Sequence, residues 1–285
     1  MSSHRLAVAA LRALPQHAMS RAAGWLASRR LPAALRGPAV RAFGRAVGVD
    51  FSEVRDPLDR FASLQEFFTR ALRDGARPID PAPEAFVSPC DGSWGAAGVV
   101  ERGQLLQVKG RPYRLAALLG DDAAARAFEG GAFATLYLSP RDYHRFHTPC
   151  AARVTRATYL PGALWPVNRI GVEGVDGLFA VNERIAAFFS RDGRSEAFCL
   201  VAVGATMVGK IRLTFDELTT NLPHVAVTRR AYADLHFAKG EEWGRFEFGS
   251  TIVLVAAPGA LALDVRPPGT PVRLGARIGT LLGER

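Results

Sequence analysis

The sequence is poor in cysteine. Its 285 residues include three, Cys90, Cys150 and Cys199, and no two of them form a Cys-x-x-Cys pair. A disulfide framework and a structural zinc site are therefore both disfavoured, and the composition is typical of a reducing compartment. We accordingly expect a cytosolic location.

Long apolar runs are also missing. The longest uncharged stretch, residues 248–263, is shorter than the roughly 20 apolar residues that a membrane-spanning helix needs. Pro258 and Gly259 interrupt it. The N-terminus spreads its arginines along the chain and does not gather them before an apolar core. We therefore expect neither a membrane-spanning segment nor a secretory signal.

Acidic residues are absent from the first 49 positions, which contain eight arginines. The whole chain carries a formal net charge of +9, so the remaining residues are nearly neutral. Because the charge lies at one end and not across the folded body, we expect no nucleic-acid partner. The arginines are Arg5, Arg12, Arg21, Arg29, Arg30, Arg36, Arg41 and Arg45.

Residues 1–49 are predicted to form short basic helices separated at Pro15, Pro32 and Pro38. Two of these helices have apolar residues at helical spacing, which form a stripe along one face. Two interpretations of the stripes are open. The stripes dock on the protein's own core, or they lie in an anionic membrane interface with Trp25 at headgroup level. The absence of acidic residues favours the membrane. The stripes are Met19, Ala22, Ala23 and Leu26 in one helix, and Val40, Phe43 and Val47 in the next.

Residues 50–285 are predicted to form one β-rich catalytic domain. Ser63 and Glu66 have the spacing of a capping box, so we expect a helix that begins there and ends near Gly75. Beyond Pro78, short apolar or alternating runs between glycines and prolines predict strands. The runs are residues 134–138, 154–160, 178–181, 199–203, 210–215, 251–255 and 272–281. The expected fold class is α+β, with a mostly antiparallel β core behind an N-terminal membrane-associating helical segment.

Three local clusters contain residues that could carry chemistry. Each is weak alone, since an Asp-Gly usually forms a turn and a loop histidine is usually structural. Together they supply an acid, a base and a nucleophile, and Asp91, His147 and Ser250 could form a triad. The clusters are residues 88–92, residues 142–149 with His144 and His147, and residues 248–251.

Ser250 admits two interpretations. In a peripheral serine hydrolase, the triad would attack an external ester. Against this, the serine lacks the Gly-x-Ser-x-Gly elbow between strand and helix and leads directly into a strand. The preceding Gly249 has no Cβ to shield its carbonyl, so the hydroxyl could attack that carbonyl instead. The residues alone leave both interpretations open.

Two other kinds of site are less favoured. His144, His147 and Cys150 could be metal ligands, but Pro149 opposes a regular helix there, and we expect no metal. A non-catalytic lipoyl-like β module would need a lysine at an exposed hairpin tip. Lys210 instead opens an alternating strand, which favours a structural role.

The order and spacing of these motifs resemble the phosphatidylserine decarboxylases, which are made as proenzymes and cut themselves at a Gly-Ser bond. The resemblance covers nearly the whole chain, and it departs at Phe248, where many bacterial members have leucine. It is carried by Phe67-Phe68-Thr69-Arg70, Arg77-Pro78-Ile79, Ser88 to Gly92, Lys109-Gly110, Tyr143 to Pro149, Leu178 to Arg184, Val203-Gly204-Ala205, Val208-Gly209, Lys239 to Glu242 and Phe248 to Thr251.

The resemblance implies that Ser250 is the cleavage serine, His147 its base and Asp91 the orienting acid. Cleavage between Gly249 and Ser250 would leave chains 1–249 and 250–285. Ser250 would become a pyruvoyl group, the expected cofactor, which forms a Schiff base with phosphatidylserine. Carbon dioxide then leaves, His144 returns a proton, and phosphatidylethanolamine is released.

The same resemblance implies the partners and the location. The substrate is phosphatidylserine in anionic membranes, and the two cleaved chains form a heterodimer that is expected to assemble into a dimer. We expect a peripheral enzyme on the cytoplasmic face of the cell membrane.

Overall fold

The structure, a computed structural model, describes residues 16–107, 111–206, 210–222, 226–247 and 251–283. The fold is α+β, as the sequence predicts. The described helices are α1 (Gln16–Ala27), α2 (Ala33–Val47), α3 (Leu64–Phe68), α4 (Leu115–Leu119), α5 (Asp122–Ala127), α6 (Arg169–Gly174) and α7 (Leu178–Val181), with a 3-10 turn at Phe51–Glu53.

The described strands are β1 (Ala85–Val87), β2 (Gly92–Val99), β3 (Gln104–Gln107), β4 (Arg111–Arg114), β5 (Ala132–Tyr137), β6 (Arg145–His147), β7 (Ala152–Leu160), β8 (Arg184–Arg191), β9 (Arg194–Val203), β10 (Ile211–Leu213), β11 (Thr228–Phe237), β12 (Glu242–Phe246), β13 (Thr251–Ala256), β14 (Leu261–Leu263), β15 (Pro271–Val272) and β16 (Arg277–Leu281).

An antiparallel sheet of eight strands forms the centre of the molecule, in the order β11-β7-β8-β9-β13-β5-β2-β15. Two three-stranded sheets, β1-β16-β14 and β10-β12-β6, and the hairpin β3-β4 complete the described β structure. Strand β13 lies between β9 and β5, and all of its residues are buried. The strand that follows Ser250 is therefore enclosed in the interior of the large sheet.

Both faces of the central sheet are covered, because side chains alternate between faces along each strand. Ile252 and Leu254 of β13 pack with residues of the two smaller sheets, such as Phe146 and Ile278. Val253 and Val255 face the opposite way, into a cluster that contains residues of α4, α5 and α7. The sheet thus lies between two layers, one of strands and one of short helices.

The helix that begins at Ser63 starts as predicted but ends earlier. The Ser63 hydroxyl accepts from the Glu66 amide at 3.1 Å, and the Glu66 carboxylate accepts from the Ala62 amide at 2.7 Å. The helix ends at Phe68, so the expected end near Gly75 is wrong. Leu72 forms a β-bridge with Val54 instead, since backbone pairing with an earlier segment takes over from the helix.

Residues 178–181, predicted as a strand, form the helix α7. Gly177 adopts a left-handed φ of 62°, and the Val181 amide bonds back to its carbonyl at 3.0 Å. Periodicity does not separate a helical turn from a strand in so short an apolar run, which explains the wrong assignment.

Two other predicted boundaries also differ from the structure. The run 272–281 contains two strands, because Gly275 turns the chain with a φ of 84°. Pro38 lies inside α2 and does not separate helices. The single amide that Pro38 lacks is offset by the burial of Val40 and Gly44 on the same helix.

The two N-terminal helices present their apolar stripes in opposite directions. In α1, Met19 and Leu26 are 39% and 68% exposed and Trp25 is 58% exposed, whereas small residues such as Ser20 face the protein. In α2, Val40 is fully buried in the cluster around Phe67. The stripe of α2 therefore docks on the protein's own core, and that of α1 faces outward.

No helix within the described ranges combines the length and the hydropathy that crossing a membrane requires.

Candidate active site

Residues 88–92, the acid cluster that contains Asp91, lie at the edge of the central sheet where β13 begins. Thr251, at the start of β13, is opposite Tyr137 of β5, and Tyr137 is opposite Ser93 of β2. Adjacent strands are about 4.8 Å apart, which puts Thr251 and Ser93 about 10 Å apart across the sheet. Because Asp91 is two residues before Ser93, it leaves the sheet at the same edge.

Residues 142–149, the histidine cluster that contains His144 and His147, reach this edge from the sheet β10-β12-β6. Strand β6 pairs with β12, with His147 opposite Glu242. The Phe246 amide donates to the His144 carbonyl at 2.9 Å. Four residues separate Phe246 from Thr251, and among them Gly249 and Ser250 lie outside the described residues. The described chain on both sides of the predicted cleavage bond thus lies beside the acid and histidine clusters.

His147 is held at both ring nitrogens. Its Nδ1 is 2.9 Å from the Gly240 carbonyl oxygen and its Nε2 is 3.2 Å from the Tyr143 hydroxyl. Since a carbonyl only accepts, we assign the proton of the neutral ring to Nδ1, which leaves Nε2 as the basic nitrogen. Burial lowers the pKa of His147 below its ordinary value of 6.5, against the opposing effects of Gly240 and Glu242. The ring is therefore neutral at pH 7 and able to accept a proton.

His144 is fully buried against an aromatic ring. Its Nδ1 donates to the Asp142 carbonyl at 2.8 Å, and the centroid of its ring is 3.9 Å from that of Phe68. Burial, assisted by the nearby Arg70 cation, lowers the pKa of His144 to about 3. Its Nε2 is buried and has no hydrogen-bond partner among the described residues. His144 is therefore also a neutral base, with a free lone pair in the interior.

Asp91 is buried and firmly bound. Arg77 Nε lies 2.8 and 3.0 Å from its two carboxylate oxygens, and Arg77 Nη2 lies 2.6 Å from one of them. The Leu274 amide donates to the same carboxylate at 2.8 Å. Arg77 Nη2 also donates to Glu53 at 2.8 Å. The carboxylate is fixed in one orientation by a bidentate arginine, which is the strong form of this interaction.

The backbone brings the acid and histidine clusters together. The His147 amide donates to the Pro89 carbonyl at 2.7 Å, two residues before Asp91. The described hydrogen bonds of the Asp91 carboxylate go to Arg77 and Leu274, and those of the His147 ring go to Gly240 and Tyr143. Direct contact between the two side chains is not part of the described site, so the orienting role of Asp91 stays a prediction.

Sequence reasoning assigned no role to Arg77, Tyr143 or Gly240. Arg77 and Tyr143 lie in motifs that carry the family resemblance, but no sequence spacing connects Arg77 with Asp91. Gly240 acts through its backbone carbonyl, which side-chain patterns do not reveal.

One cavity is lined by Phe68, the neighbour of His144, and another is lined by Asp91. An apolar cavity of about 320 Å³ lies between α2 and the chain around residues 137–140 and 166–168, and Phe68 lines it while also contacting His144. A polar cavity of about 210 Å³ is lined by Asp91, Arg77 and Tyr143 among others.

The histidine pair does not form a metal centre with its neighbours. Within the part of the chain that the structure describes, no three His, Cys, Asp or Glu side chains are placed to hold a metal ion. Burial raises the pKa of the Cys150 thiol to about 12, so it is protonated near neutral pH.

A buried and a half-buried neutral imidazole near a fixed carboxylate are typical of an enzyme that transfers protons. Comparison with known proteins defines this enzyme further. Residues 64–280 match the sequence profile of the phosphatidylserine decarboxylase family, and residues 6–45 match a second profile named PSD. The chain therefore belongs to the phosphatidylserine decarboxylase family.

Individual relatives agree with the family match. The chain is 48% identical to a phosphatidylserine decarboxylase proenzyme of Anaeromyxobacter sp. (strain K), over 96% of this chain and 98% of that protein. It is 39% identical to one of Myxococcus xanthus (strain DK1622), over 95% and 96% respectively. The resemblance seen in the sequence is thus confirmed, and the chain is a decarboxylase.

Proposed function

We propose that this chain cuts itself between Gly249 and Ser250 and then converts phosphatidylserine in a membrane surface to phosphatidylethanolamine and carbon dioxide. The observation that carries the proposal is the setting of the described residues on either side of that bond. The Phe246 amide donates to the His144 carbonyl. Thr251 lies opposite Tyr137, which lies opposite Ser93, and Asp91 is two residues before Ser93.

In the first stage, His147 acts as the base. Its neutral Nε2 takes the proton of the Ser250 hydroxyl, which adds to the Gly249 carbonyl and converts the peptide bond to an ester. His147 passes its proton to the amine nitrogen of residue 250. A base then removes the Cα proton of that residue, the bond between its Cβ and the ester oxygen breaks, and a carboxylate is left on Gly249. Hydrolysis of the resulting dehydroalanine releases ammonia and leaves a ketone at residue 250. The negative charge of nearby Asp91 favours the protonated form of His147.

In the second stage, the chain supplies binding and proton transfer around a pyruvoyl group at residue 250, which provides the electron sink for decarboxylation. Two observations fit such a group. Thr251 Oγ1 and His144 Nε2 are buried polar atoms that have no hydrogen-bond partner among the described residues. Thr251 directly follows residue 250 in the chain, and the His144 ring lies beside the Phe68 ring. His144 starts neutral, so it first accepts the proton that the substrate ammonium group loses before its amine reacts, and then gives it to the product carbon.

The outward-facing stripe of α1 supports the membrane part of the proposal. Trp25 and Leu26 are large, apolar and more than half exposed, and Arg29 lies over the Trp25 ring at 3.7 Å. Apolar side chains between arginines suit an anionic lipid interface, where a substrate with two acyl chains must be reached. The apolar cavity beside Phe68 is a suitable place for the glycerol end of such a lipid.

The location and assembly follow from the same scheme. The enzyme acts as a peripheral protein on the cytoplasmic face of the membrane, as a heterodimer of residues 1–249 and 250–285 that itself pairs into a dimer.

The test is turnover by purified protein on vesicles that contain phosphatidylserine. We expect equal amounts of phosphatidylethanolamine and carbon dioxide from the wild type and none from Ser250→Ala. Release of fatty acid or of headgroup without carbon dioxide would instead indicate an ester hydrolase.

A further inference from the structure

Arg70 is a buried cation that forms no ion pair with a carboxylate among the described residues. The residue is 4% exposed, and its Nη2 donates only to backbone carbonyls, at 2.8 Å to Arg141 and 3.1 Å to Asp142. Its Nε and Nη1 are buried and have no hydrogen-bond partner among the described residues. Burial lowers the pKa of Arg70 to about 10, against the opposing effects of Asp91, Asp142 and Glu53. Its guanidinium carbon also lies 5.4 Å from the centroid of the Phe67 ring.

The carboxylates around Arg70 are committed to other groups. Asp91 is bound by Arg77 and the Leu274 amide. The Asp142 carboxylate accepts from the amide and hydroxyl of Ser139, both at 2.7 Å. The Glu53 carboxylate forms ion pairs with Arg77 and Arg273. The Asp50 carboxylate accepts from the amide and hydroxyl of Ser52.

Arg184 is a second buried arginine, and its guanidinium nitrogens all have partners in the protein backbone. It is also 4% exposed, with a pKa likewise lowered to about 10 by burial. Its Nε, Nη1 and Nη2 each donate to a backbone carbonyl, of Leu118, Asn182 and Ala117. Arg70 is buried to the same extent, but two of its nitrogens have no hydrogen-bond partner among the described residues, which costs free energy. An anionic ligand that accepted hydrogen bonds from these nitrogens would remove that cost.

Arg70 also lines the polar cavity of about 210 Å³. The side chains of Arg141 and Arg273, which line it too, are 63% and 67% exposed and add positive charge at its open side. Arg70 and His144 share the Asp142 carbonyl as a hydrogen-bond acceptor. An anion held by Arg70 would therefore lie next to the histidine assigned to decarboxylation.

We propose that Arg70 binds an oxyanion of the phosphoserine headgroup, and so places the substrate against His144. This inference rests on the proposed function for the identity of the ligand. Two groups of the headgroup have the required chemistry, the carboxylate and the phosphate, and both suit the two free N–H donors of a guanidinium.

The test uses equilibrium binding to the full-length Ser250→Ala chain, in which no turnover occurs. The probes are glycerophosphoserine, glycerophosphoethanolamine and inorganic phosphate, measured by calorimetry. Adding Arg70→Gln is expected to weaken binding about 10- to 100-fold, as for hydrogen bonds to a charged group. A loss limited to glycerophosphoserine assigns the carboxylate, and a loss shared by all three probes assigns the phosphate.

Arg184→Gln in the same background is the matched control, because it removes an equally buried arginine whose nitrogens already have partners. We expect its affinities to stay within about twofold of the parent chain. Equal losses in both variants, unchanged affinity in Arg70→Gln, or no binding of any probe to the parent would overturn the proposal.

Arg70→Lys covers the case in which Arg70→Gln does not fold. It keeps the charge but loses the planar pair of donors, so a smaller loss of affinity is expected, and none would contradict the proposal. Since these assays need no turnover, the two proposals fail separately. Anion binding that depends on Arg70 in a chain that never decarboxylates phosphatidylserine would reject the proposed function and leave this site standing.

Discussion

His144 and His147 are three residues apart and share a tautomer, because a backbone carbonyl accepts from Nδ1 of each. They differ at Nε2. In His147 this nitrogen faces the Tyr143 hydroxyl, whereas in His144 it has no partner within the described chain. We assign the first to self-cleavage and the second to decarboxylation.

Self-cleavage should remain fast below the ordinary pKa of histidine. Burial lowers the pKa of His147, so the ring stays neutral, and thus basic, as the pH falls through 6.5. The rate of chain division, followed on denaturing gels after refolding, is therefore expected to fall only at a lower pH. His147→Gln should slow division by at least about 100-fold. A rate that halves at or above pH 6.5 would contradict this assignment.

Burial of neutral His144 should make the protein less stable in acid. Its pKa is about 3 when folded and near 6.5 when unfolded, so between these values the unfolded chain binds more protons. Stability therefore decreases as the pH falls from 6.5 towards 3, by up to about 1.4 kcal/mol per pH unit from this group. Urea unfolding of uncleaved Ser250→Ala at several pH values measures the slope.

Adding His144→Asn should reduce that slope, since asparagine keeps a donor for the Asp142 carbonyl and does not titrate. Equal slopes with and without His144 would show that the residue is not buried as a neutral base.

Among the described helices, α1 exposes two neighbouring large apolar side chains, Trp25 and Leu26, for more than half of their surface. Replacing both Trp25 and Leu26 with serine should weaken binding to phosphatidylserine vesicles at least about tenfold, because each loses apolar surface that the membrane would cover. The melting temperature should hardly change. Flotation with vesicles measures the binding.

Val265→Ser is the control for this change, since Val265 is 61% exposed and lies outside α1, after the predicted cleavage bond. Equal binding by the wild type and the α1 variant would exclude α1 as the contact. Point changes are preferable to deletion of residues 1–49, because Val40 of α2 belongs to the core.

Sequence patterns predicted the elements whose signal is local. The capping box at Ser63 marked a helix start, and the apolar run at 251–255 marked β13. They did not predict where α3 ends, because Leu72 pairs with Val54 through a long-range contact. The direction of an apolar stripe was likewise open, since Met19 in α1 and Val40 in α2 have similar spacing but opposite exposure.

The site divides in the same way. Asp91, His144 and His147 could be selected from the sequence because their side chains carry the chemistry. Arg77 could not be paired with Asp91, nor Gly240 with His147, because folding alone brings them within 3.0 Å.

At the scale of the whole molecule, residues 251–283 contribute strands to sheets that also contain earlier parts of the chain. Strand β13 pairs with β9 on one side and β5 on the other, and β16 pairs with β1. The two fragments should therefore remain together after cleavage. We expect one peak that contains both on size exclusion in native buffer, and their separation in about 6 M guanidinium chloride. Loss of the small fragment in native buffer would contradict this topology.

The central claim is that Ser250 is consumed to make the reactive group of the enzyme. Intact mass spectrometry of the purified wild type beside Ser250→Ala tests it directly. We predict two masses for the wild type, matching residues 1–249 and residues 250–285 with a pyruvoyl group in place of the N-terminal serine, and one full-length mass for the variant. A full-length wild-type chain that retains Ser250, or a Ser250→Ala chain that still divides, would contradict the account.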